Sequence, residues 1–154
     1  MIVWLLQFLL GLLVANAGEW VIHRYVLHGW GQHPDSFWAY HLYEHHVVAK
    51  QFNMLDAAYQ KWPVFWNSQA KELLVLVCIL LLNLPFFWWA NGYAWAIYFS
   101  IFTYYFLHRQ AHCDRNWAKT VLPWHYQHHL MNDNANWCIS HPLFDYLMNT
   151  RRHY

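Results

Sequence analysis

Two long apolar runs alternate with polar, histidine-rich sequence along the chain. Residues 1–18 and residues 73–107 contain no Asp, Glu, Lys, Arg or His. A membrane-spanning helix needs about 20 mostly apolar residues, with about 17 as the lower limit. The first run therefore predicts one span, from residue 1 to roughly residue 20. The second run is too long for one span and long enough for two short ones.

The middle of the second run predicts a turn. Pro85 and the pair Asn91-Gly92 interrupt it, and Asn-Gly is a strong turn signal. We therefore expect a hairpin that runs out along 72–89 and back along 93–108. One of these segments could instead lie re-entrant or flat at the interface, so we expect three to four membrane helices. Four aromatic residues flank the turn, as at membrane interfaces: Trp88, Trp89, Tyr93 and Trp95.

Composition supports a membrane protein. Only 11% of the 154 residues are charged and 58% are hydrophobic, whereas a soluble domain carries about 25% charged residues. The mean hydropathy of +0.05 is modest because Trp, Tyr and His lower it. The length predicts a single domain over residues 1–154. A formal net charge of +1 gives no reason to expect a nucleic-acid partner.

The charged residues occupy two segments only. All nine Lys/Arg and all eight Asp/Glu lie within Glu19–Glu72 or Arg109–Arg152. Three spans would leave both segments on one side of the membrane, and the positive-inside rule predicts that this side is cytoplasmic. Residues 1–18 lack the basic start of a signal peptide, so we interpret them as a helix of the fold rather than a leader.

Ten of the thirteen histidines form four groups, HRYVLH, HLYEHH, HRQAH and HYQHH. Each half of the chain reads H-x3/4-H followed by H-x2/3-HH. At 3.6 residues per turn, positions i, i+3 and i+4 share one face of a helix, so each group predicts two or three imidazoles on one face. The candidate metal ligands are His23, His28, His41, His45, His46, His108, His112, His125, His128 and His129.

Two spacings matter for the expected geometry. His41 and His45 are related as i and i+4, which predicts a shared face. His28 follows His23 by five positions, so it needs a bend or a long reach toward a second metal. The remaining histidines, His33, His141 and His153, stand alone and are not expected to bind metal.

Clustered imidazoles predict a transition-metal site. Neutral imidazole favours Fe, Zn, Cu or Ni over Mg or Ca. Ten ligands are too many for one ion, so we expect two ions with about five histidines each. The predicted fold is an all-α integral membrane bundle with a cytoplasmic histidine-rich cap. The three isolated cysteines predict neither a disulfide framework nor a zinc ribbon: Cys78, Cys113 and Cys138.

Other polar and aromatic residues are candidates for supporting roles. A ligating histidine usually donates its second N–H to a carboxylate or carbonyl. Three acidic residues lie within one helical turn of a histidine group and could accept such a bond; alternatively, each is an ordinary solvated charge. Asn136 could hold a metal-bound water, or cap a turn. The acids are Glu19, Glu44 and Asp114. The candidates for an aromatic substrate slot, which could equally be plain packing, are Phe102, Tyr105 and Phe106.

The histidine groups, in this order and around apolar spans, resemble the fatty acid hydroxylase superfamily of integral-membrane di-iron enzymes. The resemblance extends from EWVIHRYVLHG, which starts at Glu19, to NWCISHPLFDYLMNT, which starts at Asn136. Within the last segment Cys138 replaces an expected Gly, and Asn149-Thr150 replaces Gly-Thr. HRYVLHGWG is similar to carotenoid ring hydroxylases, and HPLFDYL is similar to the fatty acid and sterol branch.

The resemblance implies oxygen-dependent hydroxylation of a fatty acyl, sterol-like or carotenoid C–H bond. It implies two iron ions, which zinc could replace in purified protein, with dioxygen as co-substrate and a membrane lipid as substrate. The chain has no flavin, iron–sulfur or haem motif, so we expect a separate electron donor such as a ferredoxin or cytochrome. A desaturase would share the ligand set. A non-catalytic metal carrier should have polar ligands at mid-span, and residues 73–107 offer few.

Overall fold

The computed structural model describes all 154 residues and contains helices but no strands, as the all-α prediction expects. Seven α-helices follow in order, with short π and 3₁₀ turns between them. The π-helical turns are Ile22–Leu27 and His41–His46, and the 3₁₀ turns are Trp30–Gln32, Phe37–Ala39 and Leu84–Trp88. The α-helices are α1 Ile2–Val21, α2 Val47–Gln51, α3 Ser68–Asn83, α4 Asn91–Cys113, α5 Arg115–Val121, α6 Pro123–Leu130 and α7 Leu143–Leu147.

Two helical stretches are long and apolar enough to cross a membrane, Ile2–Gln32 and Ser68–Trp88. Both present many apolar side chains to the outside, whereas the buried residues near their ends are often polar. This arrangement is the reverse of a soluble protein, and it suits a helix surrounded by lipid. The aromatic helix α4 is the third long helix, and its role as a third span remains a prediction.

Helices α1 and α4 run parallel and approach closely at glycines. A Cβ atom on Gly11 would lie 2.6 Å from the Cβ of Ala96, and one on Gly92 would lie 2.4 Å from the carbonyl oxygen of Trp4. Both glycines therefore permit a helix contact that any larger residue would push apart. Because Trp4 meets Gly92 and Gly11 meets Ala96, the two helices advance in the same direction.

Helices α3 and α4 form the expected hairpin. The Tyr98 hydroxyl donates to the carbonyl of Leu80 at 2.9 Å, and the Gln69 amide donates to the Tyr105 hydroxyl at 3.0 Å. The first contact joins the end of α3 to the first half of α4, and the second joins the start of α3 to the second half of α4, so the helices are antiparallel. Consequently the carboxyl-terminal ends of α1 and α4 and the start of α3 lie at the same end of the bundle.

Candidate metal centre

All ten clustered histidines lie in one buried layer at that end of the bundle. None is more than 6% exposed. The three histidines that were not expected to bind metal, His33, His141 and His153, are exposed. Burial in the structure and spacing in the sequence therefore select the same ten histidines.

The ten histidines divide into two clusters. In each of two groups the ring nitrogens lie within 4.8 Å of one another. His125 joins the second group, because its Nε2 lies 3.3 Å from Nε2 of His112. Cluster A is His23, His28, His41, His46 and His128. Cluster B is His45, His108, His112, His129 and His125.

Two π-helical turns build the first half of this arrangement. In Ile22–Leu27 the N–H of His28 donates to the carbonyl of His23 at 2.9 Å, an i to i+5 bond. This wider turn brings positions i and i+5 onto one face, so His28 reaches the same cluster as His23. π-helical turns are rare and concentrate at functional sites.

The second π-helical turn, His41–His46, corrects a predicted pairing. An α-helix would pair His41 with His45, but the structure places Nε2 of His41 3.2 Å from Nε2 of His46. His45 faces His108 in the other cluster, at 3.3 Å between Nε2 atoms. The i to i+4 expectation was wrong here because the local helix is π rather than α.

Backbone carbonyls fix the orientation of three rings. Nδ1 of His23 lies 2.5 Å from the carbonyl oxygen of Trp137. Nδ1 of His128 lies 2.7 Å from the carbonyl oxygen of Ala135, and Nδ1 of His112 lies 2.8 Å from that of Met54. A carbonyl only accepts, so each ring carries its proton on Nδ1 and turns the Nε2 lone pair inward.

Those inward lone pairs fit a metal ion. Nε2 of His128 lies 3.2 Å from Nε2 of His28 and 3.3 Å from Nε2 of His46. Both ring nitrogens of His129 are buried without a hydrogen-bond partner. Buried polar atoms are normally paired, and a cation between converging lone pairs would satisfy them. The donor set therefore suits the transition metals that the sequence predicts.

Two buried carboxylates lie behind cluster B, and sequence reasoning missed both. Oε1 of Glu72 lies 2.5 Å from Nδ1 of His108, and Oδ2 of Asp56 lies 3.9 Å from Nδ1 of His45. Glu72 also accepts a hydrogen bond from the Tyr59 hydroxyl at 2.6 Å. The available signal was position, because Glu72 is the last charged residue before the apolar run 73–107.

The four predicted supporting residues make no hydrogen bond to a histidine. Glu44 forms an ion pair with Lys71, and Asp114 caps α5 through the N–H of Trp117. Asn136 accepts hydrogen bonds from Arg151 and Arg152. Glu19 accepts from the N–H groups of Ile139 and Ser140 and from the Ser140 hydroxyl.

Asn136 acts instead through the backbone on either side of it. Its φ of 60° is left-handed, which Asn tolerates better than most residues. The flanking carbonyls, of Ala135 and Trp137, are the ones that orient His128 and His23. Asp145 fixes the same loop by accepting from the N–H of Trp137 at 2.8 Å. The closing segment of the chain therefore forms one wall of cluster A.

Burial favours the neutral form of these rings. Loss of hydration lowers the pKa of His128 to about 4. Neutral imidazole is the form that binds metal, so the desolvated layer presents ligands ready for it. The same cause holds the pKa well below its usual value in His41, His46, His125 and His129.

A cavity of about 220 Å³ lies below the histidine layer, between α1, α3 and α4, and its lining is mostly apolar. The predicted slot residues are not part of it. Phe102 and Phe106 are 65% and 64% exposed, and Tyr105 contacts Gln69 instead. Helical periodicity explains the correction, because the inward face of α4 that leads to His108 carries other residues. Those residues are Ile97, Ile101 and Tyr104.

A sequence model of the fatty acid hydroxylase family matches residues 8–150. Comparisons with curated proteins and with solved structures found no match. The matched range contains all ten clustered histidines and the closing segment that orients two of them. The chain belongs to the fatty acid hydroxylase family.

Proposed function

We propose that the protein is a membrane monooxygenase that hydroxylates a lipid C–H bond with dioxygen at a di-iron centre. The observation that carries this proposal is the pair of buried clusters, A and B, whose imidazole nitrogens converge. Family membership supports an oxidoreductase with a lipid substrate.

Five histidines would hold each ion, cluster A one and cluster B the other. Iron would supply the one-electron oxygen chemistry that an unactivated C–H bond requires and that side-chain acids and bases lack. Imidazole sites also bind zinc, and the affinity order places zinc above ferrous iron. Purified protein is therefore expected to exchange iron for zinc unless preparation prevents it.

The protein's own groups orient the ligands. The carbonyls of Ala135 and Trp137 keep the proton of His128 and His23 on Nδ1. On the other side Oε1 of Glu72 lies 2.5 Å from Nδ1 of His108 and would hold that ring in place. Partners of this kind commonly change metal affinity by about 10–100-fold. No separate acid or base residue is assigned to the reaction.

The cavity below the histidines would hold the lipid chain. It is lined by His23 and Glu72 at the metal layer and by apolar residues of three helices below. The apolar lining excludes water from the hydrocarbon, and the fixed helices bring one segment of the chain to the metals. Phe102 and Phe106 would face lipid outside the bundle.

The proposed topology has α1, α3 and α4 crossing the bilayer, with the metal layer on the cytoplasmic side. Lys and Arg in both charged segments would then share the cytoplasmic face. Electrons would come from a separate protein, such as a ferredoxin or a cytochrome, that docks on this face.

The test is the lipid profile of membranes that contain the iron-loaded protein, a reductant system and isotope-labelled dioxygen. Labelled oxygen in a hydroxylated lipid supports the proposal. His128→Ala should lose the product, and the exposed His33→Ala is the matched control. A hydroxyl oxygen without label, and therefore from water, contradicts hydroxylation by dioxygen. An unsaturated product that has gained no oxygen atom indicates a desaturase on the same site.

A further inference from the structure

The closing segment, residues 136–150, leaves the histidine layer and descends along α1. At the layer, the carbonyl oxygen of Trp137 lies 2.5 Å from Nδ1 of His23. Four positions earlier on α1, Glu19 accepts from a backbone N–H of the segment at 3.0 Å. Three positions earlier again, the Asn16 amide donates to a backbone carbonyl of the segment at 2.7 Å. Seven helical positions correspond to about 10 Å, so the segment descends that far from the layer.

The segment then returns to the level at which it started. The Trp20 indole donates to the Thr150 hydroxyl at 3.0 Å, and Trp20 is four positions nearer the histidine layer than Asn16. The carbonyl of Thr150 accepts from the N–H of Asn136 at 3.1 Å, so the two ends of the segment meet. Helix α7 therefore lies at the bottom of a closed loop.

Helix α4 gives the same depth independently. A second cavity, between α1, α4 and the closing segment, is lined by Leu143 at the start of α7 and by Phe99, Ser100 and Thr103 of α4. These residues of α4 precede His108 by five to nine positions, or about 8–14 Å. The start of α7 is therefore as deep along α4 as it is along α1.

Side chains of the protein satisfy the irregular backbone of the descending stretch. The N–H groups of residues 137 and 138 donate to the carboxylate of Asp145, and those of residues 139 and 140 donate to that of Glu19. Asn16 is a buried polar residue in the apolar part of α1, and it bonds the same stretch. Irregular backbone at membrane depth is tolerated where protein groups satisfy it. The stretch therefore meets the requirement for a place inside the bilayer.

The outer face of α7 is apolar and exposed. Residues 137–149 contain no Lys, Arg or Glu, and their single Asp, Asp145, is buried on the inner face. Leu9 and Leu13 of α1, which line the second cavity beside α7, are exposed as well. The outer face of α7 thus continues the apolar surface of α1. This outer face consists of Leu143, Tyr146, Leu147 and Met148.

Cations mark the level at which the segment enters and leaves. Arg151 and Arg152 follow its returning end directly, and the Arg24 guanidinium lies 4.9 Å from the centre of the Trp20 ring. Arginines at the end of an apolar segment extend toward the lipid headgroups. The headgroups therefore lie near the level of the histidine layer, and α7 lies on the hydrocarbon side of them.

From these observations we infer that residues 136–150 form a re-entrant segment that enters one leaflet of the bilayer by about 10 Å, with the outer face of α7 against lipid acyl chains. The partner of this face is the bilayer, because the face continues the surface that α1 presents to lipid. Asp145 on the inner face holds the loop that forms a wall of cluster A. Lipid contact with α7 thus supports that wall. The inference rests on the proposed membrane position of α1 and α4, and it is independent of the proposed reaction.

The test is footprinting of the unsubstituted protein in phosphatidylcholine nanodiscs with two reagents, read by peptide mass spectrometry. A membrane-impermeant oxidant in the water converts accessible methionines to the sulfoxide. An apolar phenyl diazirine dissolved in the lipid labels side chains that touch acyl chains when it is illuminated. Met148 is 49% exposed, Met131 is 56% exposed and Met54 is fully buried. Met131 lies two positions from Asp133, which pairs with the exposed Lys50, so it serves as the water-facing reference.

Met131 should be oxidised, and Met148 should stay at the background level of Met54. The diazirine should label Leu147 and Met148, and also Leu10, an exposed residue of α1. Oxidation of Met148 as fast as that of Met131 would show contact with water and overturn the inference. Protection of Met148 without diazirine label, while Leu10 is labelled, would show that protein covers α7 and would equally overturn it. Neither readout depends on turnover, so loss of hydroxylation alone would not change the result.

A charge on the outer face of α7 gives a second test. Leu147 is 63% exposed, so Leu147→Glu would be nearly silent if the face met water. Against lipid it should lower the melting temperature in nanodiscs, because a carboxylate among acyl chains is costly. Leu147→Met, which stays apolar, and Met131→Glu, on the water side, are the matched controls and should melt like the unsubstituted protein. An unchanged melting temperature in Leu147→Glu would contradict the inference.

Discussion

His45 and His46 are consecutive residues whose imidazoles belong to different clusters. Nε2 of His46 lies 3.2 Å from Nε2 of His41 in cluster A, and Nε2 of His45 lies 3.3 Å from Nε2 of His108 in cluster B. One π-helical turn thus supplies both sites. A second adjacent pair, in α6, is divided in the same way. In each of these two pairs a single peptide bond therefore joins a residue of cluster A to a residue of cluster B.

This division predicts that adjacent substitutions affect different ions. His46→Ala and His45→Ala should each lower the metal content from about two ions per chain toward about one, because each removes one ligand of a different five-histidine set. Both should abolish lipid hydroxylation. Metal analysis of protein prepared without chelators measures the content.

His33→Ala is the control, since His33 is exposed and lies in neither cluster. It should retain the full metal content and activity. Normal metal content in both His45→Ala and His46→Ala would contradict the assignment of these two residues as ligands.

Glu72 is predicted to tune metal affinity through His108. Glu72→Gln removes the charge that faces Nδ1 of His108 while keeping the shape, and it should weaken metal retention about 10–100-fold. Glu44→Gln is the matched control, because Glu44 pairs with Lys71 and touches no histidine. A competition titration with a coloured chelator gives both affinities. Equal affinities in the two variants would reject the role of Glu72.

Asp145 is predicted to stabilise the closing loop. Asp145→Ala leaves the buried N–H groups of Trp137 and Cys138 without their acceptor, and each unsatisfied group costs about 1–3 kcal/mol. The free energy of unfolding in detergent should fall by at least about 2 kcal/mol. Asp133→Ala loses a surface ion pair with Lys50, worth about 0–1 kcal/mol, and an exposed hydrogen bond from the Asn134 amide. Similar losses in both would contradict this role.

The buried histidines predict a loss of stability in acid. Burial lowers the pKa of His128 to about 4, whereas imidazole in an unfolded chain has a pKa of about 6.5. Between these values the unfolded chain binds more protons, so stability falls as the pH drops from about 6.5 toward about 4 and is unaffected above that window. The metal-free protein should therefore melt at a lower temperature at about pH 5 than at about pH 8.

The comparison is made in one detergent at constant ionic strength. A melting temperature that rises on acidification would contradict the neutral, desolvated histidine layer.

The shared end of α1 and α4 predicts a membrane topology. Reporters inserted near Lys61 and fused after Tyr154 should lie on the same, cytoplasmic side, and a reporter at Asn91-Gly92 should lie on the other side. Opposite locations for Lys61 and Tyr154 would contradict the topology, because the two halves of each histidine cluster could not meet.

Much of this site could be predicted from the sequence because its determinants are local. Repeated spacing distinguished the ten histidines from His33, His141 and His153, and charge-free runs marked the apolar helices. Pro85 and Asn91-Gly92 marked the region of the connection that makes α3 and α4 antiparallel, but the predicted Asn-Gly turn was wrong in detail, because Asn91 and Gly92 are the first two residues of α4. Each of these signals is contained within a few consecutive residues.

The parts that escaped prediction depend on contacts between distant segments. The π-helical turn at His41–His46 contributes ligands to both clusters. The prediction assumed α-helical spacing, and it therefore paired His41 with His45. Glu72 meets His108 only after the hairpin closes. The inward face of α4 is set by packing on α1, which is why Phe102 proved to lie outside the cavity.

The most direct test of the central claim is the number of metal ions that the unsubstituted protein binds. Protein purified gently, without chelators or an affinity tag that binds metal, should carry about two transition-metal ions per chain, because ten converging imidazoles exceed the coordination positions of one ion. Iron reconstitution under reducing conditions should reach the same value. A content near zero, or one that remains at about one ion per chain after reconstitution, would contradict the account.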